Sequence, residues 1–478
     1  MALPMNFKEQ LITVIGVGNS GLDAARVLSE LGAKVTLTDS KTAEELSETQ
    51  LSEIKATGAG FAPYVRSLDG AFPAGTSLTV TSPGVPRHAA ILQESLRRNI
   101  PVISEIELAF RVTKAPMLAV TGTNGKTTTT MLATQMLTAS GRHPIICGNI
   151  SADSLKKTLV SAAYETRELE DPQKPPTLVA EISSFQLEWV ETFAPLAAVL
   201  TNITPDHLDR YKDFAEYAES KSRIFAAQKF GDLAIVNYGN PAARAIGETL
   251  PAERLLWFSR DLLSGFDYGA TLRDGMLVVR LPGMLRYEQI LHVTEFPETL
   301  PGLHSIENAL AASAAAIHLG ATPEGAAQAI REFSGVPHRM EFVAEIDGVR
   351  FINNSMSTNV AAGISSLEAM NRPTVLIAGG ADKGSDFSPL LPSLKNHVKF
   401  TFLYGKDAGK LEDAFWAGGY TTLRRVDTLE DAIREAATLA TPGDTVLLTP
   451  ICASFDQFDN FEHRGRVFRD AVKALSGR

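Results

Sequence analysis

Thr121-Gly-Thr-Asn-Gly-Lys-Thr-Thr128 stands between a short apolar run, residues 115–120 (APMLAV), and a helical pattern over residues 126–140 that Gly141 stops. Strand, glycine turn and helix in that order form the setting in which a backbone wraps a phosphate chain. Gly122 and Gly125 permit the turn, so that N–H groups face inward beside the positive end of the following helix. Thr123 and Asn124 fill out the loop. Lys126 reaches the outer phosphates, and Thr127 or Thr128 places a hydroxyl on magnesium. ATP is the ligand this suggests. The commoner phosphate-loop pattern has its first glycine five residues ahead of its second, whereas here Val120 fills that place and Gly122 is only three away. An ordinary helix-starting turn is the plain alternative.

Outward from the loop, the chain alternates strand and helix. Residues 11–15 are apolar, Gly16-Val-Gly-Asn-Ser-Gly21 turns, residues 22–31 have helical spacing and residues 34–38 are extended, which makes a βαβ unit. A later strand, 77–81, leads into Ser82-Pro-Gly84. After the loop come apolar strands at 178–180 and 197–200, with the polar, proline-containing stretch 165–177 read as a surface loop. Asp274-Gly275 predicts a hairpin. Beyond Phe333-Ser-Gly-Val-Pro337 the rhythm resumes, with strands at 349–352, 375–378, 400–404 and 445–448. The expected fold is α/β in three domains. These are a Rossmann-like N-terminal domain (1–114), a central P-loop ATPase-like domain with a mostly parallel sheet (115–336) and a Rossmann-like C-terminal domain (337–478).

With 478 residues, 44% of them hydrophobic and 21% charged, the chain can bury more than one core. Its 45 basic and 55 acidic residues give a net charge of −10, so its field does not favour nucleic acid or an anionic membrane. Cys147 and Cys452 fit neither a disulfide framework nor a zinc site. Pro4, Lys8 and Glu9 interrupt the place of a signal peptide, and no apolar run is long enough to span a bilayer. A cytoplasmic protein without membrane insertion is expected.

Several residues could carry chemistry. Gly16-x-Gly18-x-x-Gly21 with Asp39 satisfies the dinucleotide fingerprint, which taken alone suggests NAD, although the same turn cradles other diphosphates. Glu181 ends an apolar strand, where an acid can lean toward a phosphate-bound metal or simply face solvent. Residues 197–203, read as extended, run into Thr204-Pro-Asp-His-Leu-Asp209. There His207 could bind a metal or orient a neighbour, and Asp206 or Asp209 could cap the next helix. Lys221, on the helical pattern 213–228, reads by itself as an ordinary surface lysine. Gly379-Gly-Ala-Asp-Lys383 follows a strand and can present an ammonium to a carboxylate or phosphate. His338-Arg339 is a second cationic pair, and residues 450–461 bring Ser454 to a sheet edge.

Taken in order, these segments resemble the Mur ligase family, ATP-dependent enzymes that extend the peptide of the bacterial cell-wall precursor. The resemblance rests on Gly122-Thr-Asn-Gly-Lys-Thr127, Gly148-Asn149-Ile150, Glu181-Ile-Ser-Ser-Phe-Gln-Leu187, residues 202–211, Lys221, Leu303-His304 with Asn308, Pro337-His-Arg339, residues 353–359, Gly379 to Lys383 and residues 452–461. It covers nearly the whole chain and points to the branch that adds D-glutamate to UDP-N-acetylmuramoyl-L-alanine. It implies that Lys126 and Thr127 hold ATP phosphates and that Thr127 and Glu181 help bind magnesium. Asn149 and His207 would touch the muramoyl substrate and its metal. Lys221 matches the lysine that the family carbamylates, so that it too serves the metal. Asn308, His338 and Arg339 would surround ATP. Ser20, Ser40, Lys41 and Gly84 would hold the UDP substrate, and Thr358, Lys383, Ser454 and Phe461 the incoming amino acid. A monomer is the implied assembly.

The chain departs from that pattern in places. Many glutamate-adding relatives read Asp-Ser-Lys-Ala-Thr-Asn where this chain has Asn354-Ser-Met-Ser-Thr-Asn359; Ser305 replaces a frequent asparagine, and Ala381 a frequent acid. A sister ligase using another amino acid, L-glutamate among them, or extending folate, is the nearest alternative. A non-catalytic nucleotide sensor and an NAD-linked reductase are the others.

Overall fold

The computed structural model describes residues 6–64, 68–150, 157–169, 171, 174–208, 210–300 and 302–475. The chain divides into two compact units. One comprises residues 1–150, 155–293 and 307–329, and the other residues 151–154, 294–306 and 330–478.

The first unit holds two sheets. The N-terminal one has five parallel strands, in spatial order Gly60–Phe61, Lys34–Thr38, Leu11–Ile15, Leu78–Thr81 and Val102–Ser104. The order reverses between Leu11–Ile15 and Leu78–Thr81, which opens a crevice at their carboxyl ends. Gly21 must be glycine for close packing, since a Cβ there would lie 1.9 Å from the Gly16 carbonyl oxygen.

The second sheet has nine strands: Glu288–His292, Met276–Arg280, Gly269–Arg273, Leu255–Ser259, Leu233–Asn237, Ala197–Leu200, Met117–Thr121, Thr177–Glu181 and Pro144–Gly148. The seven from Gly269–Arg273 to Pro144–Gly148 pair in parallel, and the first two are antiparallel additions. Met117–Thr121, Thr177–Glu181 and Ala197–Leu200 are buried at every position, as befits strands covered on both faces. The Asp274-Gly275 hairpin forms as expected, with φ of 50° and 76° giving the primed turn that suits strand twist. A continuous core joins both sheets, from Val14 and Leu37 to Ala119, Leu178 and Val236.

The strand expected over 197–203 ends at Leu200, because Thr201 turns aside to serve the glycine loop. The described residues between Glu165 and Thr177 carry neither helix nor strand.

The second unit holds six strands in the order Glu341–Ile346, Val349–Asn353, Thr445–Ile451, Thr374–Gly379, Val398–Tyr404 and Leu423–Arg425. All pair in parallel except the first two. Helices cover both faces over two apolar clusters, one around Phe351, Ile377 and Phe468, the other around Leu376, Leu403 and Phe415. Both cysteines are free and buried. No helix among the described residues is long and apolar enough to cross a membrane.

Candidate functional site

The strand Met117–Thr121 ends in mid-sheet and releases the glycine loop at its carboxyl edge. Gly122 and Gly125 take φ of 145° and 85°. A Cβ would lie 1.9 Å from Thr201 Oγ1 at the first and 2.3 Å from Asn308 Oδ1 at the second. Both backbone angle and space therefore demand glycine. The neighbouring strand end braces the loop. Asn124 N–H donates to Asn202 Oδ1 at 2.9 Å, while Thr201 Oγ1 and Asn202 Nδ2 donate to the Asn124 carbonyl at 2.6 and 3.0 Å. The Thr123 hydroxyl accepts from Thr204 N–H at 3.0 Å and lies 3.1 Å from Tyr217 Oη. Helix Lys126–Ala139 then begins with no side-chain cap, Gly125 occupying the cap position, an arrangement that turns first-turn N–H groups toward an anion.

Around this loop the structure collects most of the central residues singled out from sequence. Thr127 Oγ1 donates to Glu181 Oε2 at 2.6 Å, and both residues are buried. Lys126 Nζ donates to the carbonyls of Gly122 and Thr123 at 3.1 and 3.0 Å. Lys221 Nζ donates to the same Gly122 carbonyl at 2.7 Å. Lys221 is therefore no surface lysine. It is 2% exposed and lies over the Tyr217 ring at 4.7 Å. Helix Phe214–Ser222 turns Tyr217, Ser220 and Lys221 inward, a face that a lone lysine in a mixed pattern does not announce. Burial pushes the Lys221 amine well below its ordinary pKa, the Lys126 charge pushes the same way, and Asp206 and Glu181 oppose.

Thr128 is buried in the first turn, and the Asn308 carboxamide oxygen accepts from Thr129 Oγ1 at 3.4 Å. Asn149 follows Pro144–Gly148 with its side chain exposed, and its N–H donates to the Glu181 carbonyl at 2.8 Å. His207 adopts a φ of 54°, with its ring edge-on to Phe185 at 4.8 Å and its Nε2 3.8 Å from Asp206 Oδ2. Asp206 does not cap the next helix: its carboxylate accepts from His207 N–H, and Asp213 caps instead, accepting from Glu216 N–H at 2.9 Å. Asp209 lies outside the described residues.

In the first sheet, Ser20 opens helix Asn19–Glu30, Ser40 and Lys41 follow Lys34–Thr38, and Gly84 follows Leu78–Thr81, all along the carboxyl edge. Asp39, the candidate ribose acid, accepts from Val17 and Lys41 N–H, both at 3.0 Å, and so ties the glycine turn to the second strand.

The second unit gathers its own set. His338 is buried, with Nδ1 3.0 Å from Asn353 Nδ2 and its ring edge-on to Phe461 at 6.4 Å. Arg339 is half-buried beside it. Thr358, Ser454 and Lys383 follow three adjacent strands, Val349–Asn353, Thr445–Ile451 and Thr374–Gly379; Ser454 is buried and Lys383 exposed. Arg464, fully buried, donates to Ser355 Oγ, the Ser355 carbonyl and the Cys452 carbonyl at 2.9, 2.8 and 3.2 Å. It joins the loops that bear Thr358 and Ser454. Sequence reasoning missed Arg464 and Thr201 and gave no role of their own to Asn202, which lies in a stretch that carries the resemblance, or to Tyr217. Only Thr201 and Asn202 carried a signal, as polar residues directly after a buried strand.

The departures also have structural places. Asn354 Nδ2 donates to Ser366 Oγ and Thr449 Oγ1 at 2.7 and 3.1 Å, which a carboxylate could not do. Ala381 exchanges backbone hydrogen bonds with Ala453, both at 2.9 Å.

Fold and loop together define a phosphate-loop α/β protein flanked in sequence by Rossmann-like sheets. Three family models match: Mur ligase MurD-like, N-terminal domain over residues 10–104, Mur ligase middle domain over 120–316, and Mur ligase, glutamate ligase domain over 338–452. A protein of Thermoanaerobacter pseudethanolicus named UDP-N-acetylmuramoylalanine--D-glutamate ligase is 40% identical over 98% of this chain and 100% of its own length. The protein of that name from Pelotomaculum thermopropionicum is 39% identical, covering 98% and 99%. Among solved structures, UDP-N-acetylmuramate-alanine ligase from Thermotoga maritima shares the fold at 16% identity and a TM-score of 0.58, covering 98% of this chain and 99% of that one. The chain belongs to the Mur ligase family.

Proposed function

We propose that this chain uses ATP to join D-glutamate to UDP-N-acetylmuramoyl-L-alanine, an acid–amino-acid ligation of bacterial peptidoglycan precursor synthesis carried out in the cytoplasm. The observation that carries the reading is the meeting of Lys126, Thr127, Glu181 and Lys221 around one glycine loop. The full-length relatives named for this reaction support it. In this reading residues 1–114 receive the UDP substrate, 115–336 ATP, and 337–478 the amino acid.

A carboxylate is a poor acyl donor because oxide would have to leave. Phosphorylating the alanyl carboxylate gives an acyl phosphate, and attack by the glutamate amine then forms the C–N bond as phosphate departs. Lys126 offsets charge on the outer phosphates, and backbone N–H groups of the loop orient them. Asn308, His338 and Arg339 contact the nucleotide. Ser20, Ser40, Lys41 and Gly84 hold the UDP moiety, Asn149 and His207 the muramoyl part, and Thr358, Lys383, Ser454 and Phe461 the amino acid.

The donor set fits magnesium. The paired Thr127 hydroxyl and Glu181 carboxylate are hard oxygen ligands, and no cluster of three or more His, Cys, Asp or Glu among the described residues forms an all-protein cage. Magnesium typically takes its remaining ligands from phosphates and water. When bound, it supplies neutralisation of phosphate charge. Lys221, whose amine burial makes easier to deprotonate, can add that amine to carbon dioxide with loss of a proton, giving a carbamate whose oxygens suit the same ion. Mass spectrometry of a mixture with ATP, magnesium, UDP-muramoyl-L-alanine and D- or L-glutamate tests the proposal. A conjugate with the D isomer is expected, and none with either isomer would defeat it.

A further inference from the structure

Arg210 lies one turn beyond His207, its N–H donating to the His207 carbonyl at 3.0 Å. Its largely buried guanidinium donates four hydrogen bonds. Nη1 donates to the Pro83 carbonyl at 2.8 Å, Nη2 to the Val85 carbonyl at 3.0 Å, and Nε and Nη2 to the two Glu188 oxygens at 3.1 and 2.9 Å. The flat face lies 4.0 Å over the Phe185 ring, and Phe185 in turn meets the His207 ring. One side chain thus grips both sides of Gly84 and also backs the aromatic wall of His207.

We infer that Arg210 is a positioning residue that keeps the turn at residues 82–85 in register with His207, and so sets affinity for the UDP-linked substrate; the inference rests on the ligase reading above. Both carbonyls it holds are main chain, so Arg210 fixes the shape of the turn whatever its side chains are. Glu188, 3% exposed at its side chain, holds the guanidinium in plane from the other side. A lysine cannot replace this fork, because a single ammonium does not bond two divergent carbonyls and both oxygens of a carboxylate while stacking on a ring. Pro83, Val85, Phe185 and Glu188, the partners of the guanidinium, all lie outside the glycine loop, so its effect should be confined to one substrate.

The test is steady-state phosphate release by the full chain, with UDP-muramoyl-L-alanine and ATP varied in turn, for the parent, Arg210→Lys, Glu188→Gln and the double variant, alongside thermal melting. Arg210→Lys should raise KM for the UDP substrate about tenfold or more and leave KM for ATP within about twofold. Glu188→Gln should shift the same constant less, and the double variant should be no worse than Arg210→Lys alone. Equal shifts in both KM values, a fall in kcat alone, or no change would overturn the positioning role. Should Arg210→Lys not fold, an unchanged UDP-substrate KM in Glu188→Gln overturns it equally. Parent protein that turns over no UDP-muramoyl substrate would instead defeat the ligase reading, so the two failures are distinguishable.

Discussion

Replacing Lys221 with methionine separates a functional lysine from a structural one. Methionine keeps most of the reach and an apolar chain at this buried position but removes the nitrogen, the atom that lies over the Tyr217 ring. The Gly122 carbonyl retains Lys126 as a donor at 3.1 Å, so no acceptor is orphaned. The lost hydrogen bond costs about 1 kcal/mol, and removing an amine from a site that disfavours its charge offsets it. Stability should therefore change by no more than about 1 kcal/mol, or about 3 °C in Tm. Turnover should fall by about 100- to 1,000-fold, equivalent to about 3 to 4 kcal/mol of transition-state stabilisation, because the carbamate proposed to form on this lysine could no longer do so. Short carboxylates such as acetate should restore part of it. Melting and phosphate release on the same preparation decide the matter. Unchanged Tm with turnover within about threefold of the parent would refute the functional role, and collapse of the fold would refute the packing estimate.

Lys126→Ala should fold normally but lose about 1,000-fold in phosphate release, the loss expected when a transition-state charge partner is removed; near-normal ADP formation would contradict its assignment. Gly125→Ala should weaken nucleotide binding at least tenfold, since its Cβ would fall 2.3 Å from Asn308 Oδ1 at a φ of 85°. Gly141→Ala, at a φ of 70° but in open space, should cost only about 1 kcal/mol of stability and leave binding intact, as calorimetry would record. Glu105 is fully buried, with Gln186 Nε2 donating to one oxygen at 2.9 Å, and burial pushes its carboxyl up from 4.5 to about 7. The folded chain then binds this proton more tightly than the unfolded chain, so stability should fall as pH rises from about 4.5 to 7. Glu105→Gln should flatten that slope by up to about 3 kcal/mol in chemical denaturation at pH 5 and 8.

The elements most legible in sequence were those governed by local rules. The glycine loop, the strand ahead of it and the Asp274-Gly275 hairpin follow from backbone angles and short-range periodicity. Strands buried on both faces were visible as apolar runs. What the residues by themselves did not show, the family resemblance aside, was set by partners distant in sequence. Lys221 reads as solvated until the Gly122 carbonyl, 99 residues away, is placed beside it. Arg210 meets Pro83 across 127 residues, and Arg464 meets Ser355 across 109. Asn124 is held by a side chain that belongs to the next strand's exit, which also explains why that strand stops at Leu200. Such charges look like surface residues in any window, because only the tertiary fold supplies the carbonyls that satisfy them.

The central claim is that this loop activates a carboxylate by phosphoryl transfer before the amide forms. UDP-muramoyl-L-alanine labelled with oxygen-18 in its alanyl carboxylate, incubated with ATP, magnesium and D-glutamate, tests it most directly. One labelled oxygen should appear in each phosphate released, in step with conjugate formation. Conjugate formed with unlabelled phosphate would contradict it.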